Sequence, residues 1–311
     1  MLYFKSVKEL LKKDEQEFVD YLEEVIWKGK MPISPFNSTY KVIKCADQFT
    51  KSEHPVRYTR YKCVNTGKYF NVKTRTIFER SKVELNYFFY AGYMMFVNKK
   101  GINSVQLAED LNVQYNTAWF ITHRLRKVAD DPLFETIFKD IIVGEGDEAF
   151  FGGKNKNRHR DKKVPHSQGR SLEDKTPVVG IIDRKIGTLI AEVVPNTTQE
   201  TLEAFIRENV KEGSTIYTDK HHGYNDLQKW YEHKVEKKSS TNRIESAWAP
   251  FKRSYNIHHW ISKKHLQRYI FQWTFRHNIR KYKNKEEKLK QVMSLVVGKR
   301  LTYKGLIRGE R

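Results

Sequence analysis

The chain has 311 residues, enough for two or three domains that each bury a sizeable core. Hydrophobic residues make up 39% and aromatic ones 13%, which excludes general disorder. Lysine and arginine number 58 against 37 aspartate and glutamate, and the formal charge of +21 points to a polyanionic partner, nucleic acid ahead of anionic membrane.

Met1 to Lys13 alternates apolar residues with lysine and lacks the uninterrupted run of a signal peptide. The longest apolar stretches, such as Ala91 to Val97, fall far short of the roughly 20 residues that span a bilayer, so a cytoplasmic protein is expected. Two cysteines cannot build a disulfide framework. Over residues 5–28, Val7, Leu10, Leu11, Phe18, Leu22, Val25 and Ile26 recur at helical spacing until Gly29 and Pro32 end the pattern, which predicts one or two amphipathic helices. From Tyr40 to Ile77, short β-branched and aromatic segments around the turn Asn65-Thr66-Gly67 predict a small β module. Ser81 and Glu84 stand at capping-box spacing before a buried helix from Leu85 through Val97.

Between Ser104 and Arg126, Leu107, Ala108 and Leu111 form one apolar face, Asn112-Val113 a turn, and Ala118, Ile121 and Leu125 a facing stripe. Gln114, Tyr115, Asn116 and Arg124 are left as expected exposed positions. This is the pattern of a DNA-binding helix-turn-helix, although a helical hairpin that merely packs is written the same way.

Asp130-Asp131-Pro132 breaks the helix, and a short connecting helix leads into an α/β order. A strand is expected over Ile141 to Asp147, a hairpin over Val178 to Asp183 and Gly187 to Val194, and a helix over Thr197 to Val210. Strands over Ser214 to Thr218 and His233 to Val235 follow, then a helix from Ile244 that Pro250 tightens or kinks and Asn242 caps. Gly152 to Lys175, with almost no apolar residue, reads as an exposed basic loop in which Lys154, Lys156, Arg158 and Arg160 are candidate DNA contacts.

Asp147 ends the first of these strands, Asp219 follows the later one, and Glu245 lies near the start of the last helix. Ligands in open α/β sheets gather at strand ends and helix starts, so the three carboxylates are expected to converge. Converging carboxylates repel unless a cation sits among them, and hard oxygen ligands hold magnesium, with manganese as a substitute. The implied chemistry is metal-assisted phosphoryl transfer on nucleic acid. Lys252, two helical turns beyond Glu245, shares its helix face and suits a phosphate beside the metal. Trp248 is read as core.

Residues Gly146 to Lys154, Tyr217 to Tyr224, Thr241 to Arg253, Ser262 to Tyr269 and Phe275 to Arg280 resemble, in order, the signatures of bacterial insertion-sequence transposases of the group called IS fifteen-ninety-five. The resemblance runs from about Tyr40 to Arg280. It implies an α/β ribonuclease-H-like catalytic domain preceded by an α-rich N-terminal region with a small β module and a helix-turn-helix. It further implies that Asp147, Asp219 and Glu245 form a magnesium-binding triad, that Lys252 contacts phosphate, and that the partners are transposon ends and target DNA, bound by a homo-oligomer in the nucleoid. The expected division is a helical segment over 1–39, a zinc-ribbon-like remnant over 40–80, a helix-turn-helix region over 81–135, the catalytic domain over 136–282 and a basic tail over 283–311.

Two features depart from the family. Members usually carry two Cys-x-x-Cys knuckles, whereas here Cys45 is followed by Gln48 and Cys63 by Thr66 at the second positions. With His54 as the one further candidate ligand, a structural zinc is not expected. The stretch between Val235 and Ser240 is also shortened. A domesticated or decayed relative that binds DNA without cutting it is the alternative; a related nuclease or resolvase shares the acidic set but not the other signatures.

Overall fold

The computed structural model describes residues 2–130, 141–153, 155–165, 167, 171–235 and 241–309. The expected connecting helix after Pro132, the candidate Lys154 and the shortened loop at 236–240 lie outside the described residues. The chain divides into two compact units, one of Met1–Asp130 with Ile279–Arg311 and one of Asp131–Asn278.

In the first unit a 3-10 turn at Val7–Leu11 precedes α1 (Glu15–Trp27), which ends as expected on Lys28 in the left-handed region and Gly29. Its face of Phe18, Val19, Leu22 and Val25 is buried. The β module has a three-stranded sheet, β1 (Val42–Lys44), β4 (Tyr61–Cys63) and β5 (Tyr69–Phe70), and a two-stranded one, β2 (Gln48–Phe49) with β3 (Arg57–Tyr58). Cys63 pairs with Val42 across β1 and β4, while the Cys45 N–H bonds to Arg60, three positions further along each strand. At about 3.3 Å of rise per residue the two thiols stand roughly 10 Å apart along the ladder, so they are not halves of one ligand set. Burial raises the Cys63 thiol, but the neighbouring Ser34 and Thr66 outweigh it and hold the thiol below its ordinary range.

α2 (Leu85–Gly92) runs into a π-helical turn at Tyr93–Val97. Ser81 does not cap it: the helix starts at Leu85, whose N–H donates to Glu15 Oε2 at 2.7 Å, so a carboxylate of α1 takes the capping role. α3 (Ser104–Leu111) is capped by Asn103 and ends on Asn112 in the left-handed region, and α4 (Tyr115–Ala129) follows after two residues. Beyond residue 282 the expected basic tail instead holds two helices whose apolar positions bury in this unit. Leu289, Val292, Met293 and Leu306 are all buried, while Lys285 and Lys290 stay exposed. The helical spacing of those residues outweighs the density of charge around them.

The second unit is built on one mixed sheet of five strands: β6 (Ile141–Phe151), β7 (Thr176–Asp183), β8 (Leu189–Val193), β9 (Val210–Thr218) and β10 (Glu232–Val235). Their spatial order is β10-β9-β6-β7-β8, with β6, β7 and β8 antiparallel in succession and β9 and β10 parallel to β6 and to each other. α5 (Gln199–Asn209) and a 3-10 turn at His222–Lys229 cover one face, and α6 (Asn242–Ile257) and α7 (Lys263–Asn278) the other. The alternation along β7 sorts the two cores. Val179 and Ile181 pack with Leu202, Phe205 and Tyr224, whereas Val178 and Ile182 pack with Ile244, Trp248 and Trp273. α6 continues through Pro250. Asn242 is its exposed first residue rather than its cap, and the helix end is held by buried Glu145, whose Oε2 accepts from the Arg243 and Ile244 N–H groups at 2.8 and 3.2 Å.

Candidate active site

β6 and β9 are in register with Glu145 opposite Tyr217, which brings Asp147 level with Asp219, one residue beyond the end of β9. β6 runs on to Phe151 while its parallel neighbour stops, so side chains from both of its faces open onto the gap. One oxygen each from Asp147, Glu148 and Asp219 lies within 4.8 Å of the others. Glu245 and Lys252, both exposed on α6, line the same open cleft of about 460 Å³. The four residues singled out from the sequence thus share one cleft.

Each carboxylate accepts from a donor on α6, on the 3-10 turn at His222–Lys229 or on the cap of one of them. Trp248 Nε1 donates to Asp147 Oδ2 at 3.0 Å. Gly180, paired with Asp147 across β6 and β7, makes room for that ring, since a Cβ there would come within 2.9 Å of it. The Tyr224 hydroxyl donates to Glu148 at 3.1 Å, the His221 N–H to Asp219 Oδ1 at 2.9 Å, and the Thr241 hydroxyl to Glu245 Oε1 at 2.8 Å. These donors do not cancel the repulsion. Burial first, then the charges of Glu148, Asp219 and Glu245, pushes the Asp147 carboxyl up to about 7. A half-buried set of hard oxygens in mutual repulsion fits a divalent cation.

Glu148 escaped the sequence reading because adjacent strand residues point to opposite faces; only the early end of β9 lets it meet Asp147. Glu145 was missed too, although an acid two positions before Asp147 on the same strand face was a signal that it serves the same helix end. Trp248 is in the core, as expected, and also orients Asp147.

Of the candidate DNA contacts, Gln114, Tyr115 and Asn116 are exposed at the start of α4. Arg124 is not: it is buried, donates to the carbonyls of Ile77 at 2.9 Å and Glu79 at 3.2 Å, and lies over the Phe120 ring. Desolvation, followed by the charge of Arg300, pulls it down to about 10. The α4 face that holds Arg124 is turned inward because the long guanidinium satisfies carbonyls that no helix or strand pairs. Lys156 and Arg160 are exposed, and Arg158 is partly buried 3.8 Å from Asp174.

Among the described residues no helix is long and apolar enough to cross a membrane. An "Uncharacterized protein in transposable element ISH50" of Halobacterium salinarum is 28% identical over 193 residues, a match that spans 57% of this chain and 62% of the length of that relative. Residues 143–278, which begin in β6 and end with α7, match the family described as the ISXO2-like transposase domain. That segment of the second unit is thus similar to the ISXO2-like transposase domain, and the acidic cleft lies inside it.

Proposed function

We propose that the protein is a DNA transposase that binds the terminal repeats of an insertion sequence and cuts and joins its ends with a divalent metal, magnesium or manganese. The observation that carries this reading is the meeting of Asp147, Asp219, Glu245 and Lys252 in one cleft, from β6, the end of β9 and α6. The strand order, with three antiparallel strands followed by two parallel ones, supports a ribonuclease-H-like architecture for this unit. Asp147 and Asp219, with Glu148 beside them and Glu245 on α6, would hold the metal. When bound, it would supply Lewis-acid polarisation of a phosphodiester and activation of water or a 3′-hydroxyl.

The chain's own residues do the rest. Trp248 fixes the rotamer of Asp147, and Thr241 that of Glu245. Lys252 offers a cation to a phosphate oxygen beside the carboxylates. Glu145, which binds the first N–H groups of α6 and is itself paired with Arg184 at 2.6 Å, anchors the helix that carries both Glu245 and Lys252. α3 and α4 are read as a helix-turn-helix, with Gln114, Tyr115 and Asn116 presented to base edges, and Lys156, Arg158 and Arg160 as phosphate contacts.

The test is cleavage of duplexes bearing the inverted repeats that flank the gene, with magnesium, with manganese and with chelator. Cutting should require the metal and vanish in Asp147→Ala, Asp219→Ala and Glu245→Ala while binding persists. Metal-independent cutting, or an active Asp219→Ala, defeats the reading.

A further inference from the structure

Beside the acidic cleft the second unit has a larger groove of about 990 Å³. Phe150 and Lys252 line both, so the two are continuous. Arg158, Lys162 and Lys175 complete a cationic wall, and no carboxylate lines the groove among the described residues. At its far end is Trp260, 67% exposed.

The chain around Trp260 is built to present it. α6 ends at Ile257, His258 follows in helical geometry, and His259 takes a positive φ of 57°. That left-handed conformation, most often taken by glycine after a helix and among other residues favoured by asparagine, aspartate and histidine, reverses the chain directly before Trp260. Ile261 on the other side is buried in the core with Leu266 and Trp273. The turn is thus pinned on both sides of an indole left in solvent. A lone exposed apolar residue is ordinary on a protein surface. This one, however, closes a groove lined by cations that leads directly to the carboxylates.

We propose that this groove binds an unpaired stretch of DNA strand leading from the acidic cleft, and that Trp260 stacks on one of its bases. The proposal rests on the transposase reading and names a subsite of it. Lysine and arginine track the phosphates, whereas an aromatic face engages a base only where the base is free of its partner strand. From Glu245 to the end of α6 the helix rises roughly 18 Å at about 1.5 Å per residue. At about 3.4 Å per stacked nucleotide, the base on Trp260 lies roughly five or six nucleotides from the cleft, and fewer if the strand is stretched.

The experiment measures full-length protein binding to a labelled oligo-dT strand of roughly twelve nucleotides, within the site sizes such grooves hold, and to a fully paired duplex. Loss of one stacked base should weaken oligo-dT binding by Trp260→Ala about 5- to 150-fold. Trp260→Phe should retain most of the affinity, and duplex affinity should be unchanged in both. Lys162→Gln should lower oligo-dT affinity and reduce its salt dependence. Single 2-aminopurine substitutions walked along the unpaired strand of an end duplex should be quenched at one or two adjacent positions by the parent and by Trp260→Phe, but not by Trp260→Ala. Equal oligo-dT binding by the parent and Trp260→Ala overturns the subsite while leaving the transposase reading intact. A parent that binds neither strand nor duplex overturns both.

Discussion

In the first unit, Glu15 accepts from the Leu85 N–H and from Lys73, Glu23 from the Thr59 N–H and hydroxyl, and Arg124 donates to two carbonyls. In the second, Asp147, Glu148 and Asp219 each have a donor yet face one another across less than 4.8 Å. Glu145, two residues from Asp147 on the same strand, belongs to the first pattern, with Arg184 and the end of α6 as partners. The contrast teaches how to separate structural from chemical charge. A charge whose partners are backbone groups of another element ties elements together, whereas charges of one sign set against each other are held at the expense of stability and are available to a ligand.

The contrast is sharpened most by the catalytic variants. On the proposed function, removing the carboxylate of Asp219 or Glu245 should lower terminal-repeat cleavage by on the order of 10³-fold or more, since a catalytic metal contributes several kcal/mol of transition-state stabilisation. Initial rates on a labelled duplex measure this.

The frustration of Asp147 should also appear as stability. Its folded-state value of about 7 lies above the ordinary 3.8, so between these values the folded protein keeps a proton that the unfolded chain releases. The stability tied to this group is fully present below about pH 4 and is lost as pH rises through 7. In metal-free buffer at pH 8, Asp147→Asn should be more stable than the parent by roughly 2–4 kcal/mol, with the gain fading toward pH 4. Magnesium should raise the Tm of the parent and leave that of the variant almost unchanged. Thermal unfolding across pH, with chelator or magnesium, would expose a parent no less stable than the variant.

Arg124→Ala should do the reverse in the first unit. It strands the carbonyls of Ile77 and Glu79 and removes packing on Phe120, for a loss of about 2–3 kcal/mol that magnesium does not repair. Thermal unfolding followed by circular dichroism measures it. An undisturbed Tm would mean that Arg124 is not a structural charge.

The smallest effect concerns recognition. Replacing Gln114 and Asn116 by alanine should erode the preference for terminal-repeat over random duplex by about 1–3 kcal/mol while leaving the salt slope almost unchanged. Replacing Lys156 and Arg160 should weaken both duplexes and flatten the slope by roughly 0.9 per lost phosphate contact. Titrations at several salt concentrations separate the two, and intact discrimination in the first variant would count against base readout by α4.

Much of this was legible in the residues. The short continuous apolar run of β7, buried on both faces, and the helical spacing of α5, buried on one, mark their elements. Asp219 and Glu245 stand out because an acid just past a strand or near a helix start is locally conspicuous, whereas Asp147, expected at a strand end, lies inside β6, which stays paired with β7 as far as Phe151. What only the tertiary structure decided depends on where neighbouring elements stop and what they leave unpaired. β9 ends one residue before Asp219, and so Glu148 joins the cluster from the opposite face of its strand. Carbonyls at Ile77 and Glu79 lack ladder partners, and so Arg124 turns inward from a helix whose charge pattern reads as exposed. Cys45 follows β1 and lies opposite Arg60, three positions along the ladder from Cys63. Periodicity is a property of one segment and survives in sequence; hydrogen-bond satisfaction belongs to pairs of segments far apart in the chain, and no single stretch of residues encodes it.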